Sequence, residues 1–268
     1  MKVLTDTLQA LLIIFLTSQA SASTILEAPS AVCYIHYLMS NVEETSCSGV
    51  LVAGNIVVTE AHCFQIDSKK ITSPIQINCG IKTESSQGEH FTFSENFTAA
   101  GVRLASDGRP ESGIDFAFVH LNHYAKTVTP IEIQTSLERF HANFMIPNPT
   151  SSNSFEFNPT IDCRSSGFGF DSQKGKNYFI TSDQSPRNGL KGFQSASNSQ
   201  SGTLVTNSWG RDVATFRHGD SGGAFYCTNK RTGHWQLDGI ISAGMEYSKG
   251  GSTGHKTNLF HRDLNNST

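Results

Sequence analysis

The sequence predicts an all-β protein, built as a sandwich or barrel of antiparallel strands. Short apolar runs rich in Val, Ile and Phe recur along its 268 residues, separated by Gly, Asn, Ser or Pro. No segment keeps an amphipathic helical period, apart from a turn or two near 137–144. Short strands joined by turn residues are typical of sandwiches and barrels. The predicted strands are Val32–Leu38, Val50–Thr59, Ile75–Asn78, Phe116–Leu121, Val128–Ile133 and Leu237–Ser242.

Two polar segments are predicted to be loops between these strands. Residues 146–160 carry three prolines among Ser, Thr and Asn, and we expect them to cross between two halves of the chain. Residues 183–203 are rich in Ser, Gln, Asn and Gly, a composition that indicates a solvated loop.

The first 22 residues have the pattern of a secretory signal peptide. Lys2 precedes an apolar core at Leu8–Leu16, and Ala20-Ser21-Ala22 supplies small residues for cleavage after Ala22. That core is too short to span a bilayer comfortably. We therefore expect a mature domain over 23–268 that is secreted or periplasmic and has no membrane anchor after cleavage.

Net charge and cysteine content indicate which kinds of ligand and cross-link to expect. A net charge of −3 without a basic stripe argues against nucleic-acid binding. All six cysteines follow the predicted cleavage site, and an even number in an exported chain favours disulfides. A zinc site is the competing interpretation, because Cys63 adjoins His62. Without a C-x-x-C pair or a second His/Cys cluster, we expect no metal and no cofactor.

Three local patterns together indicate a serine nucleophile. Ser221 lies in a glycine-rich turn, where glycines permit unusual backbone angles and close approach of a substrate. A serine hydroxyl needs a base, and the base needs an orienting carboxylate; His62 and Asp115 are of the required types. Each residue alone has an ordinary alternative, as a loop serine, a surface histidine or a turn-capping aspartate. Their joint occurrence in the order His, Asp, Ser favours nucleophilic catalysis.

The segments around these positions resemble the motifs of the chymotrypsin/trypsin-like serine peptidases. Val57–Cys63 is similar to the family's histidine motif, and Asp115–Leu121 is similar to its aspartate motif. Cys163–Gly169 resembles the segment that enters the second barrel, and Gly219–Gly223 resembles the serine motif. The likeness extends from about Cys47 to Phe260.

The resemblance implies a fold and an activity. The fold is two six-stranded antiparallel β-barrels packed face to face, at about 30–135 and 160–260, with the active site in the cleft between them. The activity is peptide-bond hydrolysis by a secreted, monomeric endopeptidase acting on proteins or peptides. Ser221 would form the acyl-enzyme, His62 would act as base and then acid, and Asp115 would orient His62. The backbone N–H groups of Gly219 and Ser221 would form the oxyanion hole.

The resemblance also implies disulfide pairings. Cys47–Cys63 and Cys163–Cys227 correspond to bridges of the family. The remaining two cysteines, Cys33 and Cys79, are left to pair with each other.

The substrate pocket is expected to be neutral. Thr215 stands six residues before Ser221, where the resemblance places the base of the pocket and where trypsin-like members carry aspartate. Without that charge a buried Arg or Lys side chain would lack a counter-ion, so a strong preference for basic residues is not expected. Ser242, Gly244 and Gly254 resemble the pocket walls.

Activation differs from the family pattern. Family members usually pair a freed N-terminal Ile or Val with the aspartate before the serine, which here is Asp220. Ile25 is the nearby candidate, but no glycines follow it. Arg164, beside Cys163, is the alternative, as an internal cation that pairs with Asp220.

Glu60 is a second departure, because the family prefers a small residue two positions before the histidine. Its side chain either is solvated or perturbs His62, and the sequence leaves both open.

A non-catalytic homologue that binds proteins is the alternative function. Such relatives typically lose a triad residue, whereas this chain keeps all three.

Overall fold

The computed structural model describes residues 30–39, 43–65, 71–84, 91–105, 115–133, 145–147, 154–157, 161–171, 176–183, 190–195, 203–208, 218–229, 233–246 and 253–259. Within these ranges the backbone is almost entirely extended, as the sequence predicts. None of the helical segments in them has the length and apolar character needed to cross a membrane.

Six strands of the N-terminal half close into a barrel. They are β1 (Val32–Met39), β2 (Glu43–Ala53), β3 (Ile56–Thr59), β4 (Gln76–Glu84), β5 (Phe91–Leu104) and β6 (Ala117–Leu121). Their order around the barrel is β1-β2-β3-β6-β5-β4, and β4 pairs back to β1. All of these pairings are antiparallel. The predicted six-stranded first barrel is confirmed.

The barrel forms because alternate residues of each strand point inward. In β6 the side chains of Ala117, Val119 and Leu121 are buried, whereas His120 between them is exposed. Burying an aliphatic or aromatic side chain contributes about 1.5–3 kcal/mol, so this interior stabilises the barrel. Its fully buried members include Ile35, Val50, Leu51, Val57, Val58, Ile77 and Val119.

The remaining strands form a second antiparallel sheet. They are β7 (Glu132–Ile133), β8 (Met145–Pro147), β9 (Ser154–Phe157), β10 (Ile161–Asp171), β11 (Lys176–Asp183), β12 (Leu190–Ser195), β13 (Thr203–Ser208), β14 (Ala224–Asn229), β15 (Trp235–Glu246) and β16 (Thr253–Leu259). Their order is β11-β10-β14-β15-β16-β13-β12-β9-β8, and β7 runs parallel beside β15. This unit has ten strands instead of the predicted six, and its described pairings leave β11 and β8 at the two ends.

Both predicted loops contain strands. In 146–160, β8 and β9 form an antiparallel hairpin, and β9 pairs with β12. In 183–203, β12 lies near the middle of the segment and pairs with β13. Backbone hydrogen bonding to a neighbouring strand outweighs weak intrinsic β-propensity, which is why composition misled the prediction. The predicted helical turns near 137–144 lie outside the described residues.

Two predicted strands have different limits in the structure. The run Val50–Thr59 is divided by a turn at Gly54-Asn55, which separates β2 from β3. The run Val128–Ile133 is extended only at Glu132–Ile133. The Val128 N–H donates instead to Glu95 Oε2 at 3.0 Å, and this bond holds the preceding loop against β5.

The three predicted disulfides are all present. Cys33–Cys79 joins β1 to β4, with 4.2 Å between the Cα atoms. Cys47–Cys63 joins β2 to the short 3-10 helix Ala61–Phe64, with 6.3 Å between Cα atoms. Cys163–Cys227 joins β10 to β14 across 4.1 Å. Each bridge contributes on the order of 2–4 kcal/mol by restricting the unfolded chain.

Ser48 on β2 connects the two halves. Its Oγ donates to the Gly219 carbonyl at 2.7 Å and accepts from the Phe168 N–H at 2.8 Å. Its backbone N–H donates to the Ser221 carbonyl at 2.8 Å. The Phe168 ring also lies 5.5 Å from the ring of Tyr34 on β1. The glycine-rich serine turn is thus bonded directly to the first barrel.

Candidate active site

His62 is held at the edge of the first barrel by the short helix that follows β3. Its neighbour Cys63 is buried and bridged to Cys47, so the helix cannot move away from β2. The His62 side chain keeps 27% exposure. One edge of the ring is therefore anchored while the other remains accessible.

Asp115 faces the anchored edge of this ring. His62 Nδ1 lies 2.6 Å from Asp115 Oδ2, and the His62 backbone N–H donates to Oδ1 at 2.8 Å. The carboxylate is fully buried just before β6, and its own carbonyl accepts from the Ala61 N–H at 3.3 Å. A carboxylate on Nδ1 fixes the tautomer that leaves Nε2 as the accepting nitrogen.

The pKa of Asp115 reflects two opposing effects. Burial raises the pKa, while hydrogen bonds and the charge of His62, together with a hydrogen bond from Glu60, lower it. The net result is a lowered pKa, so Asp115 is an anion at neutral pH. A buried anion beside the ring can stabilise an imidazolium.

The serine turn, residues 219–223, has a backbone that requires its glycines. Gly219 and Gly222 adopt φ values of 96° and 82°. A Cβ at Gly219 would lie 2.6 Å from the Phe168 carbonyl oxygen, and one at Gly222 would overlap Thr59 Oγ1 and the Ser48 carbonyl. The left-handed angles and close packing explain why both positions are glycine.

Ser221 is placed beside the His62 helix. Its carbonyl oxygen lies 3.9 Å from Cys63 Sγ and accepts from the Ser48 N–H. Its hydroxyl donates to the Ser242 carbonyl at 3.4 Å; it makes no hydrogen bond to His62 within the described part of the chain. Catalytic hydrogen bonds commonly tighten only when substrate binds, and a χ1 rotation redirects this hydroxyl.

Two backbone N–H groups of the serine turn donate to carbonyl groups of the described residues, and two others are available to a substrate. Gly222 N–H donates to the Ile241 carbonyl at 2.7 Å, and Gly223 N–H donates to the Asp220 carbonyl at 2.8 Å. The N–H groups of Gly219 and Ser221 have no acceptor among the described residues. These two are the groups expected to line an oxyanion hole.

Asp220 and Arg164 are not paired with each other. The Asp220 carboxylate is buried against β10, where a Cβ added at Gly167 or Gly169 would lie 2.6 Å from its oxygens. Arg164 lies 3.6 Å from Asp162 Oδ2, with its guanidinium 5.2 Å from the Trp235 ring centroid. Alternate residues of a strand point to opposite faces, so Arg164 points away from the face on which Asp220 packs. The predicted Arg164–Asp220 pair is wrong for this reason, and Ile25 lies outside the described residues.

The structure describes part of the predicted pocket. Ser242 is buried, and its carbonyl contacts the Ser221 hydroxyl. Gly244 on β15 pairs with His255, and Gly254 on the adjacent β16 pairs with Met245. Gly244 thus lies two residues after Ser242 on β15, and Gly254 lies on the adjacent strand; their role as pocket walls stays a prediction. Thr215 lies outside the described residues.

Glu60 is a site residue whose role sequence reasoning left open. It is fully buried, and its carboxylate lies in a group with His62 and Asp115 whose ligand atoms are all within 4.8 Å of one another. This trio has the spacing of metal ligands. Both Asp115 oxygens already accept hydrogen bonds from His62, so we assign no ion there.

Ser48 is a residue of this region that the sequence analysis did not identify. Only its place between Cys47 and Gly49, in a stretch that resembles the family, could have indicated its role.

Comparisons with known proteins agree with this architecture. The Trypsin family model matches residues 33–262. One similar solved structure is titled as an HL collagenase; it has a TM-score of 0.56 and 15% sequence identity, and the match covers 89% of this chain and 91% of that chain. At that identity the structural likeness shows the fold, whereas the family model covers most of the sequence. The chain therefore belongs to the trypsin family of serine peptidases.

Proposed function

We propose that this protein is a secreted serine endopeptidase with Ser221 as nucleophile, His62 as base and acid, and Asp115 as orienting carboxylate. The observation that carries the proposal is the 2.6 Å contact between His62 Nδ1 and the fully buried Asp115 carboxylate. A histidine held in this way has its Nε2 available to accept a proton. The hydrogen bonds of Ser48 hold the serine turn against the same barrel.

The chemistry follows from these positions. Ser221 Oγ attacks the substrate carbonyl carbon while its proton passes to His62 Nε2. The oxyanion accepts hydrogen bonds from the N–H groups of Gly219 and Ser221, and the Asp115 carboxylate stabilises the imidazolium. His62 then protonates the leaving amine, which gives the acyl-enzyme. Water, activated by His62, hydrolyses that ester and restores the Ser221 hydroxyl.

We also propose that the pocket accepts uncharged side chains. Thr215 carries no charge to balance a buried Arg or Lys, and the described wall residues Ser242, Gly244 and Gly254 are small or neutral. Peptide-library profiling of the purified enzyme tests this. A strong preference for Arg or Lys at the cleaved bond would contradict it.

Export is the third part of the proposal. Three disulfides are typical of extracellular members of such families, and residues 1–22 have the signal-peptide pattern. We propose 23–268 as the mature domain. N-terminal sequencing of the secreted protein tests the boundary and shows whether Ile25 or another residue becomes the active N-terminus.

Labelling with a fluorophosphonate probe tests the catalytic assignment. We expect the purified protein to react covalently, and we expect Ser221→Ala and His62→Ala to abolish labelling, because they remove the nucleophile and its base. His120→Ala is the matched control: this histidine is exposed on β6, and its removal should leave labelling unchanged. Circular dichroism confirms that each variant is folded. A folded, processed protein that no probe labels would contradict the proposal and favour a non-catalytic binding protein.

A further inference from the structure

Glu60 is a buried acid that the catalytic proposal does not use. It precedes His62 by two residues and occupies the N-cap of the short helix, with an extended backbone at φ −82° and ψ 143°. Its side chain makes no capping hydrogen bond to that helix. It is fully buried, and one of its carboxyl oxygens lies within 4.8 Å of a ligand atom of both His62 and Asp115. The carboxyl group is therefore directed at the triad.

Two buried carboxyl groups as close together as Glu60 and Asp115 are expected to share at least one proton. Two adjacent buried carboxylates would repel each other and would provide no donor. The proton has two possible sites, and the surroundings distinguish them. Asp115 accepts two hydrogen bonds from His62, and these lower its pKa. Glu60 is buried beside that anion, which favours the neutral acid.

From this geometry we infer that Glu60 is a protonated carboxylic acid that donates a hydrogen bond to Asp115 and positions it against His62. The inference rests on the proposed function for the role of Asp115, but the protonation state of Glu60 can be tested without activity. Glu60 is a positioning residue, since it reaches the reacting atoms only through Asp115. It supplies a hydrogen bond to the Asp115 carboxylate, and it keeps the trio at a single negative charge.

The decisive measurement is an NMR titration of the His62 ring in histidine-labelled protein on a Ser221→Ala background. If Glu60 is neutral, Glu60→Gln removes no charge and should leave the titration midpoint of His62 within about 0.3 pH units. If Glu60 is an anion, the same substitution removes a nearby negative charge and should lower the midpoint by about one unit or more. That second result would overturn the inference.

An internal control establishes that the titration detects such a change. Glu44 lies 3.6 Å from His36 Nδ1, on an exposed part of the first barrel. Glu44→Gln should lower the titration midpoint of His36 and leave that of His62 in place, because the same change of charge now lies beside a different ring.

Kinetics of the active enzyme test the positioning role. Glu60→Gln keeps a donor of nearly the same shape, so kcat/KM should stay within about threefold of wild type. Glu60→Leu removes the donor and should lower kcat/KM by about 10–100-fold, as expected for a hydrogen bond to a charged group. Equal activity of the Gln and Leu variants would show that Glu60 does not position Asp115. If Glu60→Leu does not fold, the titration of Glu60→Gln still decides the protonation state.

Discussion

At the scale of single residues, the serine turn is governed by backbone angles as much as by side chains. Gly219 has a positive φ and packs against the Phe168 carbonyl, and the neighbouring Gly222 packs against β2 and β3. We expect these contacts to fix the orientation of the N–H groups of Gly219 and Ser221, which we propose as the oxyanion donors. A small change at one glycine should therefore affect catalysis while the triad side chains remain intact.

Gly219→Ala should reduce kcat/KM by about 10²–10³-fold, the usual effect of losing one oxyanion donor. The added Cβ would lie 2.6 Å from the Phe168 carbonyl oxygen, and the φ of 96° is unfavourable for alanine. Steady-state kinetics and fluorophosphonate labelling provide the measurement. Gly101→Ala is the matched control, because a Cβ there meets no atom within 4 Å. An active Gly219→Ala enzyme would show that this N–H is not an oxyanion donor.

At the scale of secondary structure elements, β15 combines a core strand with two irregularities. Its pairing with β14 shifts register near Gly239, and its pairing with β16 shifts between Ile241 and Ala243. The second shift places the Ser242 carbonyl toward Ser221. The first leaves Asp238 inside the core. These two irregularities allow one strand to pack in the core and also to place a carbonyl group at the candidate site.

Asp238→Asn should stabilise the protein at neutral pH. Burial raises the pKa of Asp238 well above its usual value, and the Cys227 N–H only partly offsets this. For an acid whose folded-state pKa is raised, stability is highest below the unfolded value, about 3.9, and falls as pH rises toward the folded value. Asn does not ionise and avoids that loss. The variant should therefore be more stable than wild type at pH 7.

Urea unfolding of both proteins at pH 3 and pH 7 measures this effect. The advantage of Asp238→Asn should be present at pH 7 and much smaller at pH 3, where both side chains are neutral. Asp162→Asn, on the partly exposed side of β10, is the control and should show no such gain. The difference in unfolding free energy between Asp238→Asn and wild type should be larger at pH 7 than at pH 3. An equal or smaller difference at pH 7 would contradict the pKa argument.

At the scale of the whole molecule, the site depends on contact between the two halves. His62 and Asp115 belong to the first barrel, whereas Ser221 and its turn belong to the segment leading into β14 of the second sheet. Ser48 bonds to both the turn and β10. The catalytic geometry that we propose therefore requires that both units fold and dock.

Ser48→Ala should weaken both stability and activity. The substitution leaves the buried Phe168 N–H and Gly219 carbonyl without the Ser48 hydroxyl, a cost of about 1–3 kcal/mol. It also loosens the serine turn, so kcat should fall more than KM rises. Thermal unfolding and steady-state kinetics measure the two effects. Ser73→Ala, an exposed serine bonded to the Leu38 N–H far from the site, should change neither. An unchanged Ser48→Ala enzyme would show that this bridge does not position the turn.

Much of the fold could be predicted because strands of the first barrel carry a strong signal. In β6, the apolar residues Ala117, Val119 and Leu121 recur at a spacing of two and are buried, whereas the polar His120 is exposed. The hairpin of β8 and β9 and the strand β12 carry little such signal. Their extended conformation depends on pairing with distant strands, which local composition does not encode.

The sequence by itself predicted the all-β class, because strand patterns are local, and its resemblance to a known family predicted the three disulfides and the proposed site residues. Tertiary structure alone decided the charge partners. Arg164 adjoins Cys163, and Asp220 lies shortly before its disulfide partner Cys227, yet the alternation of β10 directs Arg164 away from the face on which Asp220 packs. Glu60 became a neighbour of Asp115 because folding brings β3 beside β6, although 55 residues separate them in the chain. Packing decides which charged side chains lie close together, and packing depends on contacts between residues that are remote in sequence.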